Sequence, residues 1–166
     1  MKVWADRVGR ARARHMTPTL THIADFSVQV GAPIAIGDTG HGLRRIVPIL
    51  GGVVSGPRLR GSILAGGADD QVIQPDGYTQ LEARYVLRLD DDALVYVVNN
   101  GIRSGPPEVM ARITRGESVD PALVYFRSVP RFETAAPAYQ WLTRPLFLGS
   151  GARHPDRVEI RVFEVG

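Results

Sequence analysis

The chain has 166 residues, of which 44% are hydrophobic and 22% charged, and it contains no cysteine. This length and composition suit one soluble domain with a buried core. The absence of thiols excludes disulfides, thiolate nucleophiles and cysteine-ligated metal centres, and no apolar run approaches the roughly 20 residues that span a bilayer. We expect one cytoplasmic domain over residues 16–166.

The net charge of +3 arises in the first 15 residues. Residues 1–15 contain five Lys and Arg side chains and one Asp, so the rest of the chain has a net charge of −1. A nearly neutral body lacks the basic surface typical of proteins that bind nucleic acids. We predict that residues 1–15 form either a poorly ordered extension or a short basic helix, and that the domain is stable without them.

Short alternating segments between frequent glycines and prolines predict mainly strands. In chain order the predicted strands are residues 23–30, 43–50, 57–65, 81–89, 93–99, 122–129 and 157–165, with short helices within 105–117 and 134–145. The clearest pattern is that of residues 81–89, where one face carries Leu81, Ala83, Tyr85, Leu87 and Leu89. Turns are expected at Pro75-Asp76-Gly77 and at residues 90–92.

So many short strands are typical of an antiparallel sandwich or barrel. We favour an all-β, lipocalin-like antiparallel barrel of about 8–10 strands with one or two short helices. Closure of the sheet removes exposed edge strands, and a barrel of this size leaves room inside for one small ligand.

Several kinds of chemistry lack their sequence signals. The four histidines, at positions 15, 22, 41 and 154, show no metal-binding spacing. The glycines of "GDTGHG" do not have the order of a dinucleotide-binding loop, and "LGSGA" lacks the context of a nucleophile elbow. We therefore expect a protein that works without a metal or another cofactor. The kinds of chemistry still open are acid–base catalysis and anion recognition.

The densest group of candidate site residues lies in "YFRSVPRFET". Tyr125 and Arg127 share a strand face, and Glu133 follows a bend that we predict at Pro130. Arg127 has the planar guanidinium that binds a carboxylate through two hydrogen bonds, and a partly buried Glu133 would be a proton donor or acceptor. The alternative is that Arg127 and Glu133 pair with each other and only stabilise the bend.

Other candidates have two interpretations each. Tyr85 and Tyr96 are either core residues or walls of a pocket. Trp141 is either a hydrophobic plug or an aromatic surface on which a ligand stacks. The segment Asn100-Gly101-Ile102-Arg103 is interpreted first as a turn, and second as the place of an arginine at the barrel rim.

The stretch "GGADDQVIQPDGYTQLEARYVLR", residues 66–88, is rich in turn residues and charges. Asp69 is expected to cap its loop by accepting backbone hydrogen bonds. Arg84 alternates with the apolar face of its strand, which predicts that it points to solvent or to a neighbouring subunit.

Three longer stretches occur in a familiar order. They are "IGDTGHGLRRIVPILGGVVSGPRLRGSILAGGAD", "DGYTQLEARYVLRLDDDALVYVVNNGIR" and "VYFRSVPRFETAAPAYQWLTRPLFLGSGAR". Over about residues 20–165 the chain resembles the uncharacterised, mostly bacterial family catalogued as domain of unknown function three-two-three-seven. The resemblance implies a small β-barrel with a ligand-sized cavity, and it keeps Asp69 and Arg84 among the site candidates. Family members often have an aromatic residue where this chain has Asp70.

Two classes of function remain. The first is a cofactor-independent lyase or isomerase acting on a small hydrophobic or aromatic carboxylate, with Arg127 or Arg103 holding the anion and Glu133 or Asp69 moving a proton. The second is a barrel that carries or sequesters such a ligand without turnover. The two differ in whether an acid–base residue shares the cavity with the anion-binding arginine. We expect a small-molecule ligand and neither nucleic acid nor membrane as partner, and the sequence leaves a homodimer open.

Overall fold

The computed structural model describes residues 17–166, so the predictions for residues 1–15 lie outside the described part of the chain. The strands are β1 (Leu20–Val30), β2 (Ile34–Asp38), β3 (Leu43–Ser55), β4 (Gly61–Ile63), β5 (Gly67–Ile73), β6 (Thr79–Leu89), β7 (Leu94–Ser104), β8 (Tyr125–Glu133), β9 (Phe147–Arg153) and β10 (Arg157–Val165). The α-helix α1 (Pro107–Thr114) and the 3₁₀ helices Pro121–Leu123 and Pro137–Thr143 connect these strands. Within residues 17–166, no helix has the length and apolar character needed to cross a membrane.

The strands close into an antiparallel barrel with eight positions around it. Strands β6, β7, β8, β9, β10 and β1 follow one another, and β1 pairs with β3 to close the sheet. Strands β4 and β5 share the position between β3 and β6, whereas β2 extends the sheet beside the first part of β3. The predicted antiparallel barrel is therefore confirmed.

Strand β3 changes partners half-way along its length, and glycine makes this change possible. Its first part pairs with β2 and β5, and its second part pairs with β1 and β4. At the crossing, Gly52 has a φ of 153°, and a Cβ there would overlap the carbonyl oxygen of Ser27 on β1. Only glycine allows the backbones to approach this closely.

The side chains inside the barrel differ between its two ends. At the end near Pro137–Thr143, which we call the apolar half, the filling consists of Phe26, Leu87, Phe132, Leu142 and Phe147 together with other apolar residues. The rings of Phe132 and Phe147 meet edge to face, with centroids 5.0 Å apart. The opposite end, which we call the polar half, lies next to α1 and contains buried polar and charged side chains.

The alternation predicted for residues 81–89 is confirmed, since β6 buries Leu81, Tyr85, Leu87 and Leu89. The strand predicted at 57–65 is only the three-residue β4, and β2, β5 and β9 were not predicted. The segment 105–117 contains α1, and 134–145 contains a 3₁₀ helix.

Two predicted interruptions are wrong. Residues Asn100–Arg103 do not form a turn; they continue β7, which pairs with β6 on one side and with β8 on the other. Pro130 does not bend β8. The pairs between β8 and β9 are Arg127 with Ser150 and Ser128 with Gly149, so the missing N–H of Pro130 is not needed on that edge.

Candidate functional site

A cavity lies inside the polar half of the barrel. Its polar lining consists of Asp69, Tyr85, Asn99, Arg103 and Ser128, and the remaining walls are mostly aliphatic side chains with the ring of Phe126. Its volume is about 40 Å³, which is room for roughly three water molecules or for one end of a small ligand.

Each polar side chain of this cavity has at least one atom without a hydrogen-bond partner. Within residues 17–166, the buried side-chain atoms without a hydrogen-bond partner include Asp69 Oδ1, Tyr85 OH, Asn99 Oδ1, Arg103 Nε and Nη2, and Ser128 Oγ. Leaving a buried donor or acceptor unpaired costs about 1–3 kcal/mol, and more for a charged group. Such atoms concentrated in one cavity are typical of a ligand-binding site.

Strand register explains why these side chains meet. On β5, β6 and β7, Asp69 pairs with Ala83, and Ala83 pairs with Asn99, so their inward-facing side chains line one level of the barrel. Gly101 also faces inward, and a Cβ there would lie 2.9 Å from the Cβ of Ser128. Glycine at this position lets β8 approach β7 and keeps the cavity open.

Arg103 is the largest fully buried side chain in the described part of the chain, with an exposed fraction of 1%. Its unpaired Nε and Nη2 belong to one edge of the guanidinium, which presents two parallel N–H donors. Burial lowers the pKa of Arg103 to about 10, with Asp69 opposing this effect and Arg45 and Arg153 adding to it. Arg103 therefore stays charged at neutral pH and offers a fork that fits a carboxylate.

Asp69 has an unusual pKa for an aspartate. Burial raises the pKa of Asp69 to about 6, although a hydrogen bond from Gln71 and the charges of Arg103 and Arg45 work in the opposite direction. A carboxyl group with this pKa exchanges protons near neutrality, as a general acid or base must.

A chain of hydrogen bonds fixes which oxygen of Asp69 carries the proton. Arg45 Nε donates to Gln71 Oε1 at 2.8 Å, and Gln71 Nε2 donates to Asp69 Oδ2 at 2.6 Å. An arginine can only donate, so it holds the amide oxygen of Gln71 towards itself and turns the amide nitrogen towards Asp69. Oδ2 is thereby an acceptor, and any proton on Asp69 sits on Oδ1, which is unpaired and belongs to the cavity lining.

Tyr85 contributes a neutral hydroxyl to the wall. Burial raises the pKa of Tyr85 above its ordinary value of 10.0, so the hydroxyl is protonated at neutral pH. The hydroxyl of Tyr85 lies near the side chain of Asn99 but has no hydrogen-bond partner. Tyr85 and Asn99 are thus available to orient a ligand.

The structure brings Asp69, Arg103 and Tyr85 together in the cavity. It separates Arg127 and Glu133, the two residues at the centre of the site predicted from the sequence. On β8 the even-numbered residues face inward, and Arg127 and Glu133 are exposed on the outer wall. Six residue steps along the extended strand place the two about 20 Å apart. The prediction that Arg127 and Glu133 meet at the cavity is therefore wrong, because β8 has no bend and its opposite face points inward.

The other predicted residues also lie outside the cavity. Arg84 points outward as expected, with Nη2 2.5 Å from Glu82 Oε1 and Nη1 3.5 Å from the hydroxyl of Tyr96. Tyr125 is exposed beside Arg127 on β8.

Trp141 packs at the apolar end. Its ring lies 6.3 Å from that of Phe147, and the Cζ of Arg58 sits 3.6 Å above it. This arrangement matches the plug interpretation of Trp141.

Sequence reasoning missed Arg45, Gln71, Asn99 and Ser128, and it misplaced Asp69 in a loop. Asp69 lies in β5 and bonds to Gln71 rather than capping a turn. A usable signal was present in β8, where Ser128 shares the phase of Phe126 and Phe132.

The family model described as "Protein of unknown function (DUF3237)" matches residues 18–165. The chain belongs to this family. The resemblance inferred from the three sequence stretches is thus confirmed.

Relatives of this DUF3237 member share its sequence and its barrel. A UPF0311 protein of Rhodopseudomonas palustris is 50% identical over 152 residues, covering 90% of this chain and 99% of the relative. The crystal structure of that protein of unknown function superimposes with a TM-score of 0.88 at 48% identity, over 90% of this chain and 99% of its own. A beta-barrel like protein from Acinetobacter baumannii gives a TM-score of 0.80 at 36% identity, over 90% and 97%.

A more distant structure has the same fold. An enzyme from Penicillium herquei superimposes with a TM-score of 0.67 at 16% identity, over 90% of this chain and 95% of its own. At this identity the likeness extends to the barrel architecture alone.

Proposed function

We propose that this protein binds a small carboxylic acid inside the barrel and acts on it as a cofactor-independent lyase or isomerase. The observation that carries the proposal is the shared cavity of Asp69 and Arg103. A proton-exchanging carboxyl group and a carboxylate-binding guanidinium both present unpaired atoms there. An acid–base residue beside the anion-binding arginine is the feature that favours an enzyme over a carrier.

In this proposal Arg103 binds the substrate carboxylate through Nε and Nη2. Asp69 Oδ1 takes a proton from the carbon next to that carboxylate, and the electron pair left behind spreads onto the carboxylate oxygens, where Arg103 stabilises the charge. Asp69 then returns the proton to another carbon of the substrate, which is an isomerisation, or to a departing group, which is a lyase reaction. Neither route requires an oxidant or a reductant.

The second candidate is a carrier that holds the same acid without turnover. The mostly apolar walls of the cavity favour it, since a hydrophobic acid needs only these walls and Arg103 in order to bind.

The first experiment identifies the ligand. Protein purified under native conditions is denatured, and the released small molecules are compared by mass spectrometry between the wild type, Arg103→Gln and Arg131→Gln. Arg131 is an exposed arginine on the outer face of β8 and serves as the matched control. We expect a carboxylic acid with the wild type and with Arg131→Gln, but not with Arg103→Gln. The same acid bound equally by all three proteins would contradict the proposal.

The second experiment separates enzyme from carrier. The identified acid is incubated in D₂O with the wild type or with Asp69→Asn, and deuterium incorporation is followed by NMR. An enzyme of the proposed kind exchanges the proton next to the carboxylate, and Asp69→Asn should lose this exchange by about 10²–10⁴-fold while it still binds. Binding without exchange by the wild type would identify a carrier.

A further inference from the structure

Three arginines from different strands occupy the polar half. Arg45 on β3 and Arg103 on β7 are 6% and 1% exposed, and Arg153 at the end of β9 is half-buried. Among the described residues, Asp69 is the carboxylate that lines the cavity with Arg103. Asp156 lies at the surface and is the other acidic neighbour of Arg153. The interior therefore holds more positive than negative charge.

The excess positive charge destabilises the folded protein. Burial lowers the pKa of Arg45, Arg103 and Arg153, and the repulsion of Arg45 lowers the pKa of both Arg103 and Arg153 further. Buried charges are normally paired. A bound anion would supply the missing negative charge.

Arg45 and Arg153 line a second space, the mouth of the barrel, which lies beside the last turn of α1. The mouth has a volume of about 300 Å³, and its lining includes Thr114 of α1 and the charged residues Arg115 and Asp156. Val30 lines both the mouth and the inner cavity, so the two spaces adjoin.

Size determines how a ligand occupies these two spaces. The inner cavity of about 40 Å³ accommodates a carboxylate and a few further atoms. Because Val30 lines both spaces, the remainder of a larger acid bound to Arg103 would pass this side chain to reach the mouth, which Arg45 and Arg153 line.

We infer that the ligand is a dianion, with one carboxylate on Arg103 in the inner cavity and a second anionic group on Arg45 and Arg153 in the mouth. This inference rests on the proposed function and specifies its substrate class. With both groups bound and Asp69 ionised, the charges that line the two spaces balance. Four arginines (Arg45, Arg103, Arg115 and Arg153) then face four negative charges, namely the two of the ligand and those of Asp69 and Asp156.

The test compares dicarboxylates with esters that lack one charge. Binding of isophthalate, glutarate and the monomethyl ester of each is measured by isothermal titration calorimetry at constant ionic strength. For at least one of the two acids, the wild type should bind the diacid about 10–100-fold more tightly than its monoester, since a hydrogen-bonded charge contributes about 1.5–3 kcal/mol. Arg153→Gln should remove most of this preference, while Arg131→Gln should behave like the wild type.

The outcomes separate this inference from the proposed function. Equal binding of diacid and monoester by the wild type, with both weakened by Arg103→Gln, overturns the dianion and leaves the carboxylate site in place. A preference that survives Arg153→Gln also overturns the second subsite. Failure of all four compounds to bind contradicts both proposals. If Arg153→Gln does not fold, the comparison within the wild type still decides.

Discussion

The apolar and polar halves of the barrel differ in what their buried side chains contribute to the protein. In the apolar half, Phe26, Phe132 and Phe147 are almost fully buried, and Phe132 packs edge to face against each of the other two rings. In the polar half, Asp69 and Arg103 have buried atoms without partners. The first arrangement stabilises the fold, whereas the second costs stability and holds polar groups ready for a ligand. The polar half can be tolerated because the apolar half compensates for it.

The largest effect is expected in the apolar half. Phe147 is 1% exposed and packs against Phe132 and Trp141. Phe147→Ala should lower the free energy of unfolding by about 3–5 kcal/mol through lost burial and the cavity left behind, as measured by urea denaturation. Leu148→Ala, at the neighbouring partly exposed position, is the control and should have a much smaller effect. A loss below about 1 kcal/mol for Phe147→Ala would contradict the division into halves.

The next effect concerns pH. Asp69 has a folded pKa of about 6 against an ordinary value of 3.8. Below pH 3.8 it is protonated in both the folded and unfolded states. Between 3.8 and 6 the folded state binds the proton more tightly, so this group makes the protein less stable as pH rises through that window.

The difference between a pKa of about 6 and one of 3.8 corresponds to about 3 kcal/mol. Urea denaturation at pH 4 and pH 7 should show Asp69→Asn gaining about this much relative to the wild type at the higher pH. Asp70→Asn, at the adjacent position of β5, controls for the loss of a carboxylate. A constant difference between Asp69→Asn and wild type across this range would show that burial does not govern Asp69.

A smaller effect is expected for Arg103→Met. This substitution removes a buried charge and fills the space with an apolar side chain. The free energy of unfolding should stay the same or rise by up to about 2 kcal/mol, because the Nε and Nη2 donors that the substitution removes are buried without partners. Carboxylate binding should be lost. Urea denaturation and calorimetry measure the two quantities, and a destabilisation beyond 1 kcal/mol would indicate that Arg103 serves the fold.

Gln71→Leu tests whether the amide of Gln71 controls the pKa of Asp69 in the polar half. It removes the hydrogen bond that lowers the pKa of Asp69, so the pKa of Asp69 should rise above its wild-type value. The ¹³C chemical shift of the Asp69 carboxyl carbon, followed against pH by NMR, reports this directly. Gln80→Leu, at an exposed position of β6, is the control. An unchanged midpoint in Gln71→Leu would mean that the amide does not position Asp69.

The smallest effects are expected on the outer wall. Glu133→Gln and Arg127→Lys alter exposed residues of β8, so each should change the free energy of unfolding by less than about 0.5 kcal/mol and leave dicarboxylate binding unchanged. Calorimetry and urea denaturation check both. Loss of binding in either variant would restore the site that the sequence suggested.

The barrel could be predicted from the sequence because its evidence is local. Alternation in residues 81–89 shows directly which side chains of β6 face inward. Frequent glycines and prolines mark the turns between short strands.

The site could be predicted only in part, because its evidence is not local. Asp69 lies in a run of polar residues that resembles a turn, and it faces the cavity only because β5 pairs with both β3 and β6. In β8 the alternation reveals two faces, but the choice between Arg127 and Ser128 as the inward residue depends on register with β7. Gly101 resembles a turn residue by itself, and its role in close packing appears only once β8 is in place.

The hydrogen bond from Arg45 Nη1 to the carbonyl oxygen of Thr114, 3.1 Å long, connects the end of α1 to the interior of the barrel. The same guanidinium holds Gln71, and Gln71 holds Asp69. If α1 moves away to widen the mouth, this bond must break, and Arg45 loses one of the two contacts that fix its position. The position of α1 and the orientation of the Asp69 carboxyl group are therefore linked through Arg45 and Gln71.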